Sequence, residues 1–228
     1  ICRSRSVRAV YSMPTLHNPL GWVMDIEQRQ QLVSIARRHD LQIIEDAAYA
    51  FLVENPPPPI AELAPERTLY VSGLSKSVAA GLRVGYIAAP AHMIAALERV
   101  IRVTAWNTPG VMTSITSAWL DDGTVGRLEV QKRKDAHARQ IIADELLEGL
   151  HTVRHPFSYF IWLPLSDDAR AEQVVMALMR EQVSVSSAQP FATSIHVPRA
   201  IRLALGSVDM ESLREGLAKV KWVVDAYS

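Results

Sequence analysis

The chain has 228 residues, 49% of them apolar and 21% charged, with a formal net charge of zero. This length allows one large domain or two modest ones, the apolar share is enough for a packed core, and the charge balance argues against a nucleic-acid surface, which shows a basic excess. The single cysteine, Cys2, excludes an internal disulfide framework and fits a reducing compartment, and no apolar run reaches the length of a membrane span.

No secretory signal pattern and no internal repeat is present. Val7 to Tyr11 reads as a short buried strand, so the chain enters a strand almost at once and is expected to be the C-terminal part of a longer protein. A turn segment follows from Pro14 to Gly21, in which Pro19 holds Asn18 extended or in a turn. Asp25 with Gln28 predicts a capped helix to about His39, burying Leu32, Ile35 and Ala36 and ending in Arg37 and Arg38 as the helix dipole prefers. Leu41 to Ile44 predicts a strand with Glu45 and Asp46 at its end. Helix, strand, then acids at the carboxyl edge is the rhythm of a mostly parallel sheet, and ligands collect outside the carboxyl ends of such strands. Pro56 to Pro59 is a stiff polyproline stretch, either an SH3-type ligand or a rigid loop between two elements.

Leu69 to Val71 then predicts a strand that delivers Ser72, Gly73, Leu74 and Ser75, with Lys76 behind them, a bend through Gly81, Arg83, and a second apolar run ending at Ala88. Helices are predicted over His92–Val103, Val111–Leu120 and Val125–Leu150, broken at Asn107–Gly110; the cluster Lys132, Arg133, Lys134 reads as a solvated helix face. Phe157–Leu165, Val183–Ser187 and Ala200–Leu205 predict strands, Ala171–Glu181 and Met210–Tyr227 helices. Residues 1–103, 104–150 and 151–228 are therefore expected to form a cofactor-domain portion, interdomain helices and a second, smaller α/β unit.

A primary amine at a strand mouth, among small hydroxyl and glycine residues, can condense with an aldehyde lying above the sheet edge. Arg83, seven residues on from Lys76, is a permanent cation that suits a phosphate. Aldehyde and phosphate together point to pyridoxal phosphate. Its pyridine nitrogen stays protonated beside a carboxylate, for which Asp46 is the natural candidate; Glu45 is its neighbour, but adjacent strand residues face opposite ways and only one can serve. Asn18 and Tyr49 carry donors suited to the cofactor's ring oxygen, with His17 and Trp22 flanking the turn as local packing or pocket lining. Arg202 lies in an apolar strand, where a charge needs a partner or ligand, and a guanidinium is the best clamp for an amino-acid carboxylate; Arg199 is its competitor, in a loop after Pro198. No metal-binding spacing, G-x-S-x-G elbow or P-loop is present.

Four segments in order, H-N-P-L-G, E-D-A-A-Y, S-K-S-V-A-A-G-L-R-V-G-Y and I-R-L-A-L-G, resemble the class I/II aminotransferase family of fold-type-I pyridoxal-phosphate enzymes. The resemblance implies a mostly parallel sheet with helices on both faces and a smaller C-terminal α/β domain. It implies Lys76 as the cofactor-bound lysine and proton shuttle, Asp46 at the ring nitrogen, Asn18 and Tyr49 at the ring oxygen, Arg83 at the phosphate and Arg202 at the substrate carboxylate. Within the family the chain looks most similar to the MocR type of GntR transcription regulators, in which such a domain follows a winged-helix DNA-binding domain and senses an amino acid or amine. That similarity implies a cytoplasmic homodimer that touches DNA only through a missing N-terminal domain, and exchange of the lysine amine for that of the ligand; a free-standing aminotransferase is the alternative. The family often places Ser or Thr three residues before the lysine. Here that residue is Gly73, so Ser72 or Ser75 is expected to serve the phosphate. The segment that would precede Ile1 carries the family's phosphate-cradling loop and the aromatic residue stacked on the ring.

Overall fold

The structure, a computed structural model, describes residues 2–166 and 169–227. The backbone divides into two compact units, Ile1–Leu16 with Val23–Lys132 and His17–Trp22 with Arg133–Ser228.

The first unit is built on a four-stranded sheet in the order β1 (Ala9–Ser12), β2 (Gln42–Asp46), β3 (Thr68–Gly73) and β4 (Gly85–Ala88). The first three strands are parallel and β4 runs antiparallel to β3. Helix α1 (Ile26–Arg38) starts where expected: the Asp25 carboxylate accepts from the Gln28 amide, and the Gln28 side chain accepts from the Asp25 amide. This capping box satisfies two of the amide groups a helix start leaves without partners.

The buried line of α1 differs from expectation. It is Arg29, Val33 and Ala36, with Ile35 left 45% exposed. The cause is Arg29, which is fully buried and donates to the carbonyls of Pro14, Met24 and Pro58 and to Thr15 Oγ1. A buried cation needs its donors paired, and the four bonds made here turn the inner stripe of α1 toward the chain segments that accept. The helix ends in a Schellman turn: Asp40 takes a left-handed φ of 51° and the Leu41 amide reaches back to the Ala36 carbonyl at 2.9 Å. Leu41 is thereby committed to the helix end, and β2 begins one residue later than predicted. Pro59 forms the cap of the one-turn helix α2 (Ile60–Leu63), so the polyproline stretch connects two elements.

After β3 come a one-turn helix, α3 (Leu74–Ser77), a 3₁₀ turn at Ala80–Leu82 and β4. Three helices follow: α4 (Ala91–Thr104), α5 (Gly110–Asp121) and α6 (Thr124–Leu146). None of the α4 residues is buried. Helix α6 stops short of the predicted Leu150 because Gly149 takes a φ of +84°, the conformation that closes a helix end.

The second unit carries an antiparallel sheet of β5 (Val153–Arg154), β6 (Phe160–Pro164), β7 (Ser186–Ser187) and β8 (Ala200–Ala204), ordered β5-β6-β8-β7. Its core gathers Ile161, Leu163, Ile201 and Leu203 from the strands with Val174 and Leu178 of α7 (Ala171–Arg180) and Leu217, Val220 and Val224 of α8 (Met210–Ala226). Each fully buried Leu or Ile contributes roughly 2 kcal/mol. The predicted strand Val183–Ser187 is real only at Ser186 and Ser187. Its first half closes α7 in a second Schellman turn, with Gln182 at φ 61°, its amide on the Met179 carbonyl and the Val183 amide on that of Leu178. The predicted strand from Phe157 likewise starts later, at Phe160, because Ser158 closes a turn on the His155 carbonyl. Among the described residues no helix is long and apolar enough to cross a membrane.

Candidate functional site

The carboxyl end of the first sheet opens into a pocket of about 300 Å³, lined by Asp46 at the end of β2 and Ala48 after it, by Val71, Ser72, Gly73, Ser75 and Lys76, and by Arg83, Val84 and Gly85. Its geometry follows from small residues at close approaches. An added Cβ on Gly73 would lie 2.9 Å from the Val84 carbonyl oxygen, so β3 and β4 can meet here only without a side chain at 73. This accounts for the missing hydroxyl three residues before Lys76. The short helix α3 turns Leu74 and Ser77 inward, Leu74 against Leu82, Val84 and Val125, and thereby leaves Ser75 and Lys76 on the pocket side. Arg83 follows the 3₁₀ turn in a left-handed conformation, φ 52° and ψ 30°. For a residue with a Cβ this costs about 1–2 kcal/mol, a strain of the kind that concentrates where ligands are held.

Two cations, Lys76 and Arg83, thus face one anion, Asp46, across a floor of small side chains. The adjacent acid is turned away. Glu45 is 1% exposed, accepts from the Ala61 amide at 2.9 Å, and has its pKa pushed up by burial, with the Ala61 and Ile60 amides and Arg29 opposing. The alternation of a strand has therefore put Asp46 at the pocket and Glu45 in the interior. Asp46 Oδ1 accepts from the Ala48 amide at 2.9 Å, and Oδ2 accepts from the Tyr11 hydroxyl at 2.5 Å. Burial and this contact together push the Tyr11 phenol up to about 12. Tyr49 lies beside Lys76, whose Nζ is 5.7 Å from the ring centroid, within cation–π range. Ser72 Oγ is 3.5 Å from the Ala47 carbonyl.

The sequence-predicted residues therefore fall into two sets. Asp46, Ser72, Ser75, Lys76 and Arg83 line one pocket with Tyr49 next to the lysine. Asn18 and Arg202 belong to the second unit. There the Asn18–Pro19 bond is cis and Asn18 Oδ1 is buried with no hydrogen-bond partner. His17 stacks on Trp22 with centroids 4.8 Å apart, and burial lowers its pKa. Arg202 lies in register with Trp162, its guanidinium 4.9 Å from the Phe160 ring centroid and 5.8 Å from that of Phe191. The aromatic faces supply part of what a cation in an apolar strand requires. Arg199 is exposed.

Tyr11 was missed as a site residue. Its signal is a register: Tyr11 pairs with Ile44 in the parallel ladder, so it shares a face with Asp46 two residues on. Pairing registers are not legible in a single chain.

The donor set fits pyridoxal phosphate: an amine for the aldehyde, a permanent cation and hydroxyls for the phosphate, a carboxylate for the ring nitrogen, and no side chain at Gly73 to fill the cradle. Comparison with known proteins agrees. Residues 7–220 match the family described as Aminotransferase class I and II. The Bacillus subtilis HTH-type transcriptional regulator YdeF is 25% identical over 226 residues, 98% of this chain and 49% of the regulator. Aromatic-amino-acid aminotransferase 1 of Thermococcus litoralis is 26% identical over 95% of this chain and 54% of its own length. Among solved structures, an archaeal alanine:glyoxylate aminotransferase superposes with a TM-score of 0.90 at 25% identity, over 99% of this chain and 58% of that one. A mutant of the Thermus thermophilus aspartate aminotransferase gives 0.86 at 26% identity, over 97% of this chain and 62% of that one. The chain spans about half the length of the curated relatives it matches.

Proposed function

The chain belongs to the class I and II aminotransferase family, and from that premise we propose that it is a pyridoxal-phosphate-binding domain that takes up an amino acid or amine as the effector half of a MocR-type GntR regulator. The observation that carries the cofactor is the convergence of Lys76, Asp46 and Arg83 on one pocket. The regulator reading is supported by YdeF, an HTH-type regulator of which this chain covers 49%. The Thermococcus aminotransferase, matched over a similar share, supports a free-standing aminotransferase as the second reading.

When bound, pyridoxal phosphate supplies an electron sink that acidifies the α-carbon of an attached amine. The chain's own residues have separate tasks. Lys76 would hold the cofactor through its amine, and its Nζ would be the base for the ligand's α-proton. Asp46 would keep the ring nitrogen protonated by placing an anion beside it. Arg83 would neutralise the phosphate, and the Ser72 or Ser75 hydroxyl would donate a hydrogen bond to it. Tyr49 would donate to the ring oxygen; the family resemblance would give Asn18 the same task and Arg202 the ligand carboxylate. In this scheme residues 1–103 are cofactor-domain, 104–150 interdomain helices and 151–228 the small domain of a cytoplasmic homodimer, and DNA is contacted only by a winged-helix domain outside these residues.

Borohydride reduction of the cofactor-loaded protein followed by peptide mapping tests the cofactor assignment: the label is expected on Lys76, and a label elsewhere, or none, overturns it. Incubation with amino acids and 2-oxo acids then separates the two readings. A regulator binds the amino acid and shifts the cofactor absorbance without sustained turnover, whereas continued keto-acid production establishes the enzyme.

A further inference from the structure

Asp46 is held at two points that belong to different elements. One is local: the Ala48 amide on Oδ1, two residues along the same chain segment. The other reaches across the sheet: the Tyr11 hydroxyl, from β1, on Oδ2 at 2.5 Å. The parallel register makes this contact diagonal, since Tyr11 is opposite Ile44 and Asp46 lies two residues further on the same face. A long aromatic side chain with a donor at its tip spans such a diagonal; a shorter donor does not. Tyr11 as a residue is 61% exposed, so close packing does not place it, although its hydroxyl is partly withdrawn from water.

We propose that Tyr11 is a positioning residue that fixes the Asp46 carboxylate toward the pyridine nitrogen of the cofactor. The proposal rests on the reading of this pocket as a pyridoxal-phosphate site. A carboxylate oxygen has two acceptor positions, so each oxygen of Asp46 keeps one for a ligand after Ala48 and Tyr11 have bound. With the Tyr11 bond alone removed, only Oδ1 is pinned, and the carboxylate is free to turn about its Cβ–Cγ bond. The phenol is suited to the task because it stays a donor: with its pKa at about 12 it holds its proton throughout the physiological range. Around Asp46 the titratable and charged groups are the Lys76 amine and the Arg83 guanidinium, both lining the pocket, and the Tyr49 phenol beside Lys76; Glu45 is buried on the opposite face.

The test is a double-mutant cycle read by cofactor affinity rather than turnover. Pyridoxal phosphate is titrated into the wild type, Tyr11→Phe, Asp46→Asn and the double variant, and followed by absorbance. Tyr11→Phe is expected to weaken binding about tenfold in the wild-type background, the size of one lost hydrogen bond to a charged group, and by less than about twofold when Asp46 is already Asn. An equal loss in both backgrounds, or no loss in the wild type, overturns the proposal. A second measurement needs no cofactor. With ¹³Cζ-labelled tyrosine, the Tyr11 resonance is expected to remain un-ionised at about pH 11 in the wild type and to titrate at clearly lower pH in Asp46→Asn, still above the ordinary tyrosine value because burial, the larger cause, stays in place. Ordinary titration in the wild type removes the contact and the proposal with it. If the wild type takes up no cofactor on Lys76 while the Tyr11 resonance behaves as expected, the functional reading fails and the contact stands.

Discussion

The two sheets hold their cations in opposite ways. Arg202 of the second sheet is half-buried in a strand paired on both sides, with its guanidinium against Phe160 and Phe191. Lys76 and Arg83 of the first are exposed, one on a single helical turn and the other on a left-handed residue. The surroundings differ likewise. The second sheet has a continuous core against α7 and α8, while in the first unit β4 is exposed along its whole length and Val100, Val103, Trp106 and Val111 face outward. The difference teaches that Arg202 is placed by packing that the fold needs in any case, whereas Lys76 and Arg83 are placed by local backbone devices that stabilise little. The first arrangement resists change; the second leaves side chains free to meet a ligand.

Substitutions should reproduce that asymmetry. The largest effect is expected from Leu178→Ala, at a fully buried position of the second core: a loss of about 3 kcal/mol in denaturant unfolding. Val103→Thr, at a position 75% exposed in the first unit, should stay within about 0.5 kcal/mol. Equal losses at the two sites would break the comparison. Next comes a pair with opposite signs. Arg202→Ala should destabilise by about 1–2 kcal/mol, because the stem and both ring contacts go. Arg83→Gly should stabilise the cofactor-free protein by up to about 1 kcal/mol, because glycine adopts the left-handed conformation without strain, while weakening pyridoxal phosphate binding at least about tenfold through the lost cation. Thermal unfolding without cofactor and absorbance titration with it measure the two halves separately. A destabilised Arg83→Gly would mean that the φ of 52° is no burden.

The elements were legible where a local signal was strong. Asp25 with Gln28 announced α1, and the apolar runs around Ile43, Ile161 and Ile201 announced their strands. The failures have two causes, tertiary demand on a residue and left-handed helix ends at residues other than glycine. The Arg29 donors turned α1 away from the Ile35 stripe. Gln182 and Asp40 closed helices in left-handed turns that no glycine advertised. At the site, Lys76, Asp46 and Arg83 were visible because each chemical group is distinctive and its place after a strand is readable. The choice between Glu45 and Asp46 needed the direction of one alternation, and Tyr11 needed the register between β1 and β2. Neither is written in composition or spacing.

The smallest effect follows from that alternation. Burial raises the Glu45 pKa above the ordinary glutamate value, so the folded chain holds this proton more tightly than the unfolded chain does. Below the ordinary value both states are protonated and Glu45 adds no slope. As pH rises from the ordinary value to the raised one, the unfolded chain ionises while native Glu45 keeps its proton, and stability falls until the native group ionises too. Glu45→Gln has no proton to lose, and its amide oxygen can still accept from Ala61. Its stability relative to the wild type should therefore rise across this window and level off above it, as a slope in unfolding free energy against pH rather than a uniform offset. A uniform offset would mean that Glu45 ionises as readily in the folded chain as in water. The interior face of β2 would then be as wet as its pocket face, and the separation of the two acids would lose its physical basis.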